Sequence, residues 1–269
     1  MSRFLGNTLT GHDRSELWAR GIAALVFVIA AAITLSGSRS MSGGMRMPGG
    51  WEMSMTWMPM PGQAVAGSTA MFLLMWLAMM VAMMLPSSWP MLELYQQVAV
   101  STGQRRLAAA VTLMGAGYFA VWLGFGAVVF GVGFAASAEA MRSQVFSHAV
   151  PLLAGSGLIF AGAYQLTPWK LACLRHCRSP LLFLGHAFRP GLAGAVRVGV
   201  AHGLFCTGCC WALMLMQPIL GVMNLGVMIL VAAVIGAEKL WVRGAMLARV
   251  TGAASIGLGA WFLWRALPT

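Results

Sequence analysis

Residues 195–217 read AVRVGVAHGLFCTGCCWALMLMQ, an apolar run with one arginine near its start and no carboxylate. A helix of that length extends roughly 35 Å, enough to cross the hydrocarbon core of a bilayer. Within it His202, Cys206, Cys210 and Met214 recur every four residues and so share one helical face, with Cys209 a turn after Cys206. A helix entering the bilayer near residue 196 carries the thiols about 15–20 Å inward, close to the midplane. Thiols are easily buried as small apolar groups, but a buried histidine needs partners for its ring nitrogens. A thiolate in lipid also needs a compensating positive charge. Thiolate and imidazole together suit Cu(I), with zinc as the alternative ion. A cysteine cluster that only packs, or one that exchanges disulfides, fits the same spacing.

The rest of the 269 residues agrees with a membrane setting. The chain is 59% hydrophobic, with a mean hydropathy of +0.80 and 9% charged residues, far below the quarter usual in soluble domains. The fold class expected is all-α, a polytopic helical membrane protein. It has about seven transmembrane helices, near 18–36, 66–86, 107–135, 147–166, 195–217, 219–238 and 246–264. Spans five and six, joined at Pro218 and Gly221, should form a tight antiparallel pair, or else one broken element, and Pro86 should end the second span. Arg3, Arg14, Arg20, Arg105, Arg106, Lys170, Arg175, Arg178, Arg189, Arg197, Lys239, Arg243 and Arg249 then fall on one side. Only Arg39, Arg46, Arg142 and Arg265 fall on the other. The asymmetry places the N-terminus in the cytoplasm and the C-terminus outside. It yields a cytoplasmic segment 1–17, a first transmembrane helix 18–36 kept as a signal-anchor, an external Met-rich loop 37–65, and a bundle over 66–266 with a cytoplasmic loop 167–194. The net charge of +11 is thereby explained by topology and anionic lipids, without a nucleic-acid partner.

Two further groups carry soft-ligand chemistry. The outer segment GSRSMSGGMRMPGGWEMSMTWMPMPGQ (37–63) sets Met41, Met45, Met47, Met53, Met55, Met58 and Met60 among glycines and prolines, and is expected to be an irregular or partly ordered loop. In the second span Met71, Met75, Met79 and Met83 recur every four residues, with Met80 and Met84 beside them. Met75, Met79, Met80 and Met83 reach the depth of the cysteines and are candidate ligands, although thioethers also fill irregular cores. TPWKLACLRHCRSP (167–180) puts Cys173 and Cys177 on one face of a short helix, ringed by Lys170, Arg175 and Arg178, whose charge favours thiolates. Glycines between 115 and 162 read as close helix crossings. Glu238 beside Lys239, and Glu93, read as boundary ion pairs, and Gln165 and Gln217 as structural hydrogen-bonding groups.

WLAMMVAMMLP (76–86), YQLTPWKLACLRHCRSP (164–180), GLFCTGCCWALMLM (203–216), GVMNLGVM (221–228) and EKL (238–240) together resemble a bacterial family of unknown function, described as predicted metal-binding integral membrane proteins. The resemblance runs from about residue 65 to 245. It carries over Met79, Met80, Met83, Met84, Pro86, Gln165, Pro168, Lys170, Cys173, Cys177, Arg178, Pro180, Cys206, Gly208, Cys209, Cys210, Trp211, Met214, Glu238 and Lys239. It implies a metal and the bacterial inner membrane, and it supplies no reaction.

The metal-ligand set expected is His202, Cys206, Cys209, Cys210 and Met214, with Cys173, Cys177 and the methionines of the second span. The function expected is capture, transfer or homeostasis of copper, as Cu(I), in the inner membrane, with lipids and a membrane or periplasmic protein as partners. A copper-containing redox subunit and a scaffold or assembly subunit are the alternatives, so enzymatic activity stays open.

Overall fold

The computed structural model describes residues 2–40, 43–58 and 64–266, and for residues 2–19 the backbone alone. Met41 and Met60 of the outer segment lie outside the described residues, as do the side chains of Arg3 and Arg14. The described chain is helical apart from one short hairpin. Its elements are α1 (Ser2–Ser40), β1 (Gly44–Met47), β2 (Trp51–Ser54), α2 (Val65–Ser101), α3 (Leu107–Arg142), α4 (Gln144–Gln165), α5 (Pro168–Arg178), α6 (Pro180–Ala187), α7 (Leu192–Met214), α8 (Met216–Leu220), α9 (Leu225–Leu240) and α10 (Gly244–Ala266).

Among the described residues six helical stretches are long and apolar enough to cross a membrane: Arg20–Ser40, Val65–Ser101, Leu107–Arg142, Gln144–Gln165, Leu192–Leu220 and Gly244–Ala266. The seventh expected span corresponds to α9, whose 16 residues extend about 24 Å. The outer faces carry bare large apolar side chains, among them Phe27, Ile33, Val128, Phe160 and Ile229. Such a surface fits lipid better than water.

α2 does not stop at Pro86. It runs through Pro86 and Pro90 for 37 residues, because each proline removes one backbone bond while packing against α1 and α3 holds the helix on both sides. Spans five and six do not form a tight pair either. α7 packs along α3, and α9 packs on α2 and α10. The glycines explain the choice: side chains on Gly117 and Gly203 would run into the Val196 and Tyr118 carbonyls, so α3 and α7 meet backbone to backbone. α4 and α10 meet in the same way. A Cβ on Gly162 would stand 2.6 Å from the Gly252 carbonyl oxygen, and one on Gly259 2.6 Å from that of Gly155.

The outer segment is more ordered than its composition implied. β1 and β2 form an antiparallel hairpin turned at Gly49 and Gly50, both at positive φ. Ser147 at the start of α4 donates to the Pro48 carbonyl at 2.7 Å, and the Trp51 indole donates to the Ser147 carbonyl at 3.0 Å. Met47 and Met53 are buried against Ala140 and Phe146, while Met45 and Met55 are exposed. Half of these four thioethers therefore serve packing.

The loop between α4 and α7 folds as α5 and α6. Thr167 caps α5 by accepting from the Lys170 amide, and Pro168 opens the helix at a position that needs no amide proton. From α5 the fully buried Lys170 reaches Glu238 in the last turn of α9, Nζ to Oε2 at 2.6 Å. Gln165 and Thr251 donate to the other oxygen of Glu238 at 3.3 and 3.2 Å. One carboxylate thus ties α4, α5, α9 and α10 together.

Two stability predictions follow from these contacts. Lys170→Met strands the buried Glu238 charge and should cost about 3–5 kcal/mol, whereas Lys170→Met with Glu238→Leu removes both charges and should recover much of it. Gly252→Ala should cost about 1–3 kcal/mol through overpacking. Gly257→Ala on the same helix, where a Cβ meets nothing within 4 Å, should be neutral or stabilising by up to about 1 kcal/mol. Thermal unfolding followed by circular dichroism in detergent measures all four, and equal losses at Gly252 and Gly257 would contradict the packing account.

Candidate metal centre

α7 presents Cys206, Cys209 and Cys210 to the interior, all three buried, with their sulfurs within 4.8 Å of one another. The Cys209 and Cys210 sulfurs are 3.1 Å apart, and the Cys209 thiol donates to the Cys206 carbonyl at 3.2 Å. A fourth sulfur arrives from α5: Cys177 Sγ lies 3.7 Å from Cys209 Sγ. Cys173, one turn earlier, packs over Gly208, where a Cβ would stand 3.0 Å from its sulfur. The glycine between the α7 cysteines is what lets α5 come so close. Of the pair read from the sequence as an accessory cytoplasmic one, Cys177 joins the α7 sulfurs in one centre, while Cys173 stays at its edge against Gly208. All five cysteines are free thiols.

The charges around α5 are not where the sequence placed them. Lys170 is spent on Glu238 and on the Cys209 carbonyl, and Arg178 donates to the Glu238 and Val242 carbonyls at 3.1 and 3.0 Å. Burial pushes the Cys173 thiol up from its ordinary range, and Lys170 offsets only part of that. The cation that serves the sulfurs is Lys239. Its Nζ donates to Cys206 Sγ at 3.0 Å and to Ser87 Oγ at 3.2 Å, and lies 4.0 Å from Met84 Sδ. Glu238 and Lys239 are sequence neighbours, so they point to different sides of α9, and Glu238 forms its expected boundary ion pair with Lys170. Among the described residues Lys239 has no carboxylate partner. Glu93 pairs instead with Arg20 at 3.0 Å.

A second donor reaches Cys206 from α3. Ser88 donates to Tyr118 Oη at 3.0 Å, which leaves the Tyr118 hydroxyl proton for Cys206 Sγ, also at 3.0 Å. Cys206 therefore receives an ammonium and a phenol, an arrangement suited to an anionic sulfur. Tyr164 fixes the turn above by donating to the Gly208 carbonyl at 2.5 Å.

The remaining expected ligands divide. Met79, Met80 and Met83 are buried in the same core as the cysteines, and so is Met214. Met75 is half-buried and faces Gly37 of α1, and Met71 is exposed. His202 is buried but stands outside the close sulfur group, stacked on Tyr118 with ring centroids 5.3 Å apart. It lines a cavity of about 220 Å³ together with Cys177, Lys239, Arg178 and Ser87. That cavity leads to the sulfurs.

Depth differs from the simple span picture. Cys206 and Cys209 sit level with Lys239, Glu238 and Lys170, where α4 and α9 end and α10 begins. The first 14 residues of α7 lie beyond that level, packed on α3, α5 and α6. The thiols thus belong to one end of the shorter helices and not to the middle of the bundle.

The sequence pattern did not mark Lys239 and Tyr118 as sulfur partners, nor Ser87 and Ser88 that bond to them. Only Gly208, small between cysteines, signalled that another chain segment comes close. Residues 73–262 match the family model PpoB2, described as copper chaperone. No curated protein and no solved structure matches the chain. The matched stretch covers well over half of the sequence and contains every cysteine, so the chain belongs to the PpoB2 family of copper chaperones.

Proposed function

We propose that this protein binds Cu(I) at the centre formed by Cys177, Cys206, Cys209 and Cys210 and passes it across or out of the bacterial inner membrane. The observation that carries this is the meeting of Cys177 with Cys206, Cys209 and Cys210 beside the unpaired Lys239 ammonium. Cu(I) favours soft sulfur in low coordination numbers. Two thiolates with one Cu(I) carry a single negative charge, which Lys239 neutralises in a low-dielectric interior. Without the ion, Lys239 itself supplies the counter-charge to sulfur. Cargo binding thus exchanges the proton of a second thiol for Cu(I), with Lys239 as the counter-charge before and after, and leaves no bare charge. The methionine face of α2 leads toward the centre, with Met79, Met80 and Met83 on its buried side.

Orientation follows from charge and aromatic placement. Exposed Trp169 and Trp241 lie at the sulfur end, close to Arg175, Arg178 and Arg243, while Trp261 and Trp264 lie toward the other end of α10. Aromatic belts with an arginine-rich flank support a reading with the thiols near the cytoplasmic face, the N-terminus inside and the C-terminus outside. The 220 Å³ cavity beside Cys177 and His202 is then the port through which a cytoplasmic thiol reaches the cargo. Cys173 and Cys177 stand on that path.

Elemental analysis and competition titration of the full chain, purified anaerobically in detergent, test the proposal. Bound copper should fall to background strength in Cys206→Ser/Cys209→Ser/Cys210→Ser, and Cys177→Ser should weaken it. Zinc in place of copper, or copper affinity unchanged in the triple variant, would refute it. Lys239→Met should weaken Cu(I) about 10–100-fold, as loss of a ligand-supporting group does elsewhere. Lys239→Arg should restore part of that affinity; no recovery would mean that Lys239 acts by packing and not by charge.

A further inference from the structure

One buried polar group takes no part in the cysteine centre. Gln217, in α8 just beyond α7, is fully buried. Its amide nitrogen points at two thioethers of α2, Met83 Sδ at 3.5 Å and Met79 Sδ at 3.9 Å. Its carbonyl oxygen has no hydrogen-bond partner among the described residues. An orphaned buried carbonyl is destabilising, and a leucine would fill the same space without it. Thioethers are weak acceptors, so the amide gives its donors to poor partners and its acceptor to none.

We propose that Met79, Met83 and Gln217 form a second binding site, for a soft monovalent cation, distinct from the cysteines and on their outer side. The proposal rests on the Cu(I) reading above and goes beyond it. A half-turn of the carboxamide brings the oxygen to where the nitrogen stands, beside both sulfurs, and no donor opposes the turn. Two thioethers and one carbonyl then converge from α2 and α8. Cu(I) and Ag(I) accept such neutral soft sets, which hard cations refuse.

The surroundings extend the site outward. Met79 also borders a closed void of about 10 Å³ whose other thioethers are Met75, Met223 and Met228. That void is barely one water in size, and its other walls are Thr34, Phe72, Trp76 and Val222. Met223 belongs to the turn between α8 and α9, at the far end of α9 from Lys239. In the other direction Gln217 lies seven residues beyond Cys210, about 10 Å along a helix. Met84, one turn past Met80, faces the Lys239 ammonium at 4.0 Å, which repels a cation there. The last neutral stop before the cysteines is therefore the Met79–Met83–Gln217 group. It leaves the ion's charge uncompensated, so it binds weakly and releases inward.

Ag(I), a redox-stable soft cation, titrated into full-length protein with methyl-labelled methionine tests this by nuclear magnetic resonance. In Cys206→Ser/Cys209→Ser/Cys210→Ser, one residual equivalent should shift the Met79 and Met83 methyl signals, assigned by Met79→Leu and Met83→Leu. Gln217→Leu should weaken that equivalent about 10–100-fold. The wild-type chain titrated past its first equivalent gives the same readout without the cysteine changes. Binding by the wild type with no residual equivalent, or with shifts at other methionines only, overturns the second site and leaves the cysteine centre standing. Absence of soft-cation binding in the wild type overturns both.

Discussion

The last turn of α9 places two opposite charges on consecutive residues in a nearly uncharged interior. Successive helical residues stand about 100° apart, so Glu238 and Lys239 cannot serve each other and must find partners on different helices. Glu238 meets Lys170 at 2.6 Å, with Gln165 and Thr251 on its second oxygen. Lys239 turns to Cys206, Ser87 and Met84. Three charges thus enter the core, two cancel, and the third is positive. Its counter-charge has to come from sulfur or from the phenol beside it. The site's chemistry follows from that imbalance.

The balanced pair does the positioning. Lys170 also reaches the Cys209 carbonyl, so the ion pair that closes α5 onto α9 draws α5 along α7 at the level of the thiols. Cys177 then sits against Cys209, and Cys173 against Gly208. A buried ion pair contributes little net stability, since desolvation offsets most of its attraction. Its contribution here is register: a different partner for Glu238 would separate Cys177 from the α7 sulfurs.

How far the residue pattern announced this depends on whether a feature is local. The repeat of His202, Cys206, Cys210 and Met214 put the thiols on one face of α7, and the four-residue spacing of Cys173 and Cys177 put them on one face of α5. Both are properties of a single helix, and both hold. The α3–α7 and α4–α10 crossings were foreshadowed by glycines for the same reason. What the pattern hid lies between helices. Glu238 was legible as a boundary ion pair, but its partner Lys170 and the turn of Lys239 toward Cys206 depend on how the helices pack. Pro86 looked like a terminus because its cost is local, whereas the flanking helices that outweigh it are distant. Gln217 looked structural because its unmet oxygen exists only once α8 packs onto α2. His202 had the right face for a ligand, yet Tyr118 from α3 takes up its ring.

The two sulfur sites differ in the one property that decides direction. Met79, Met83 and Gln217 bring no charge, so a monovalent cation there keeps its full charge in a poor dielectric. At the cysteines the same ion meets anionic sulfur, and the ammonium already present turns an excess negative charge into neutrality. Transfer from the first to the second is downhill in electrostatic energy without any moving part in the backbone. The reverse step is uphill unless a competing thiol removes the ion from the cysteine end. The cavity lined by Cys177, His202 and Lys239 opens at that end. On the proposed reading, a soft cation entering among the thioethers of α2 leaves by the cysteine end, where the arginines are.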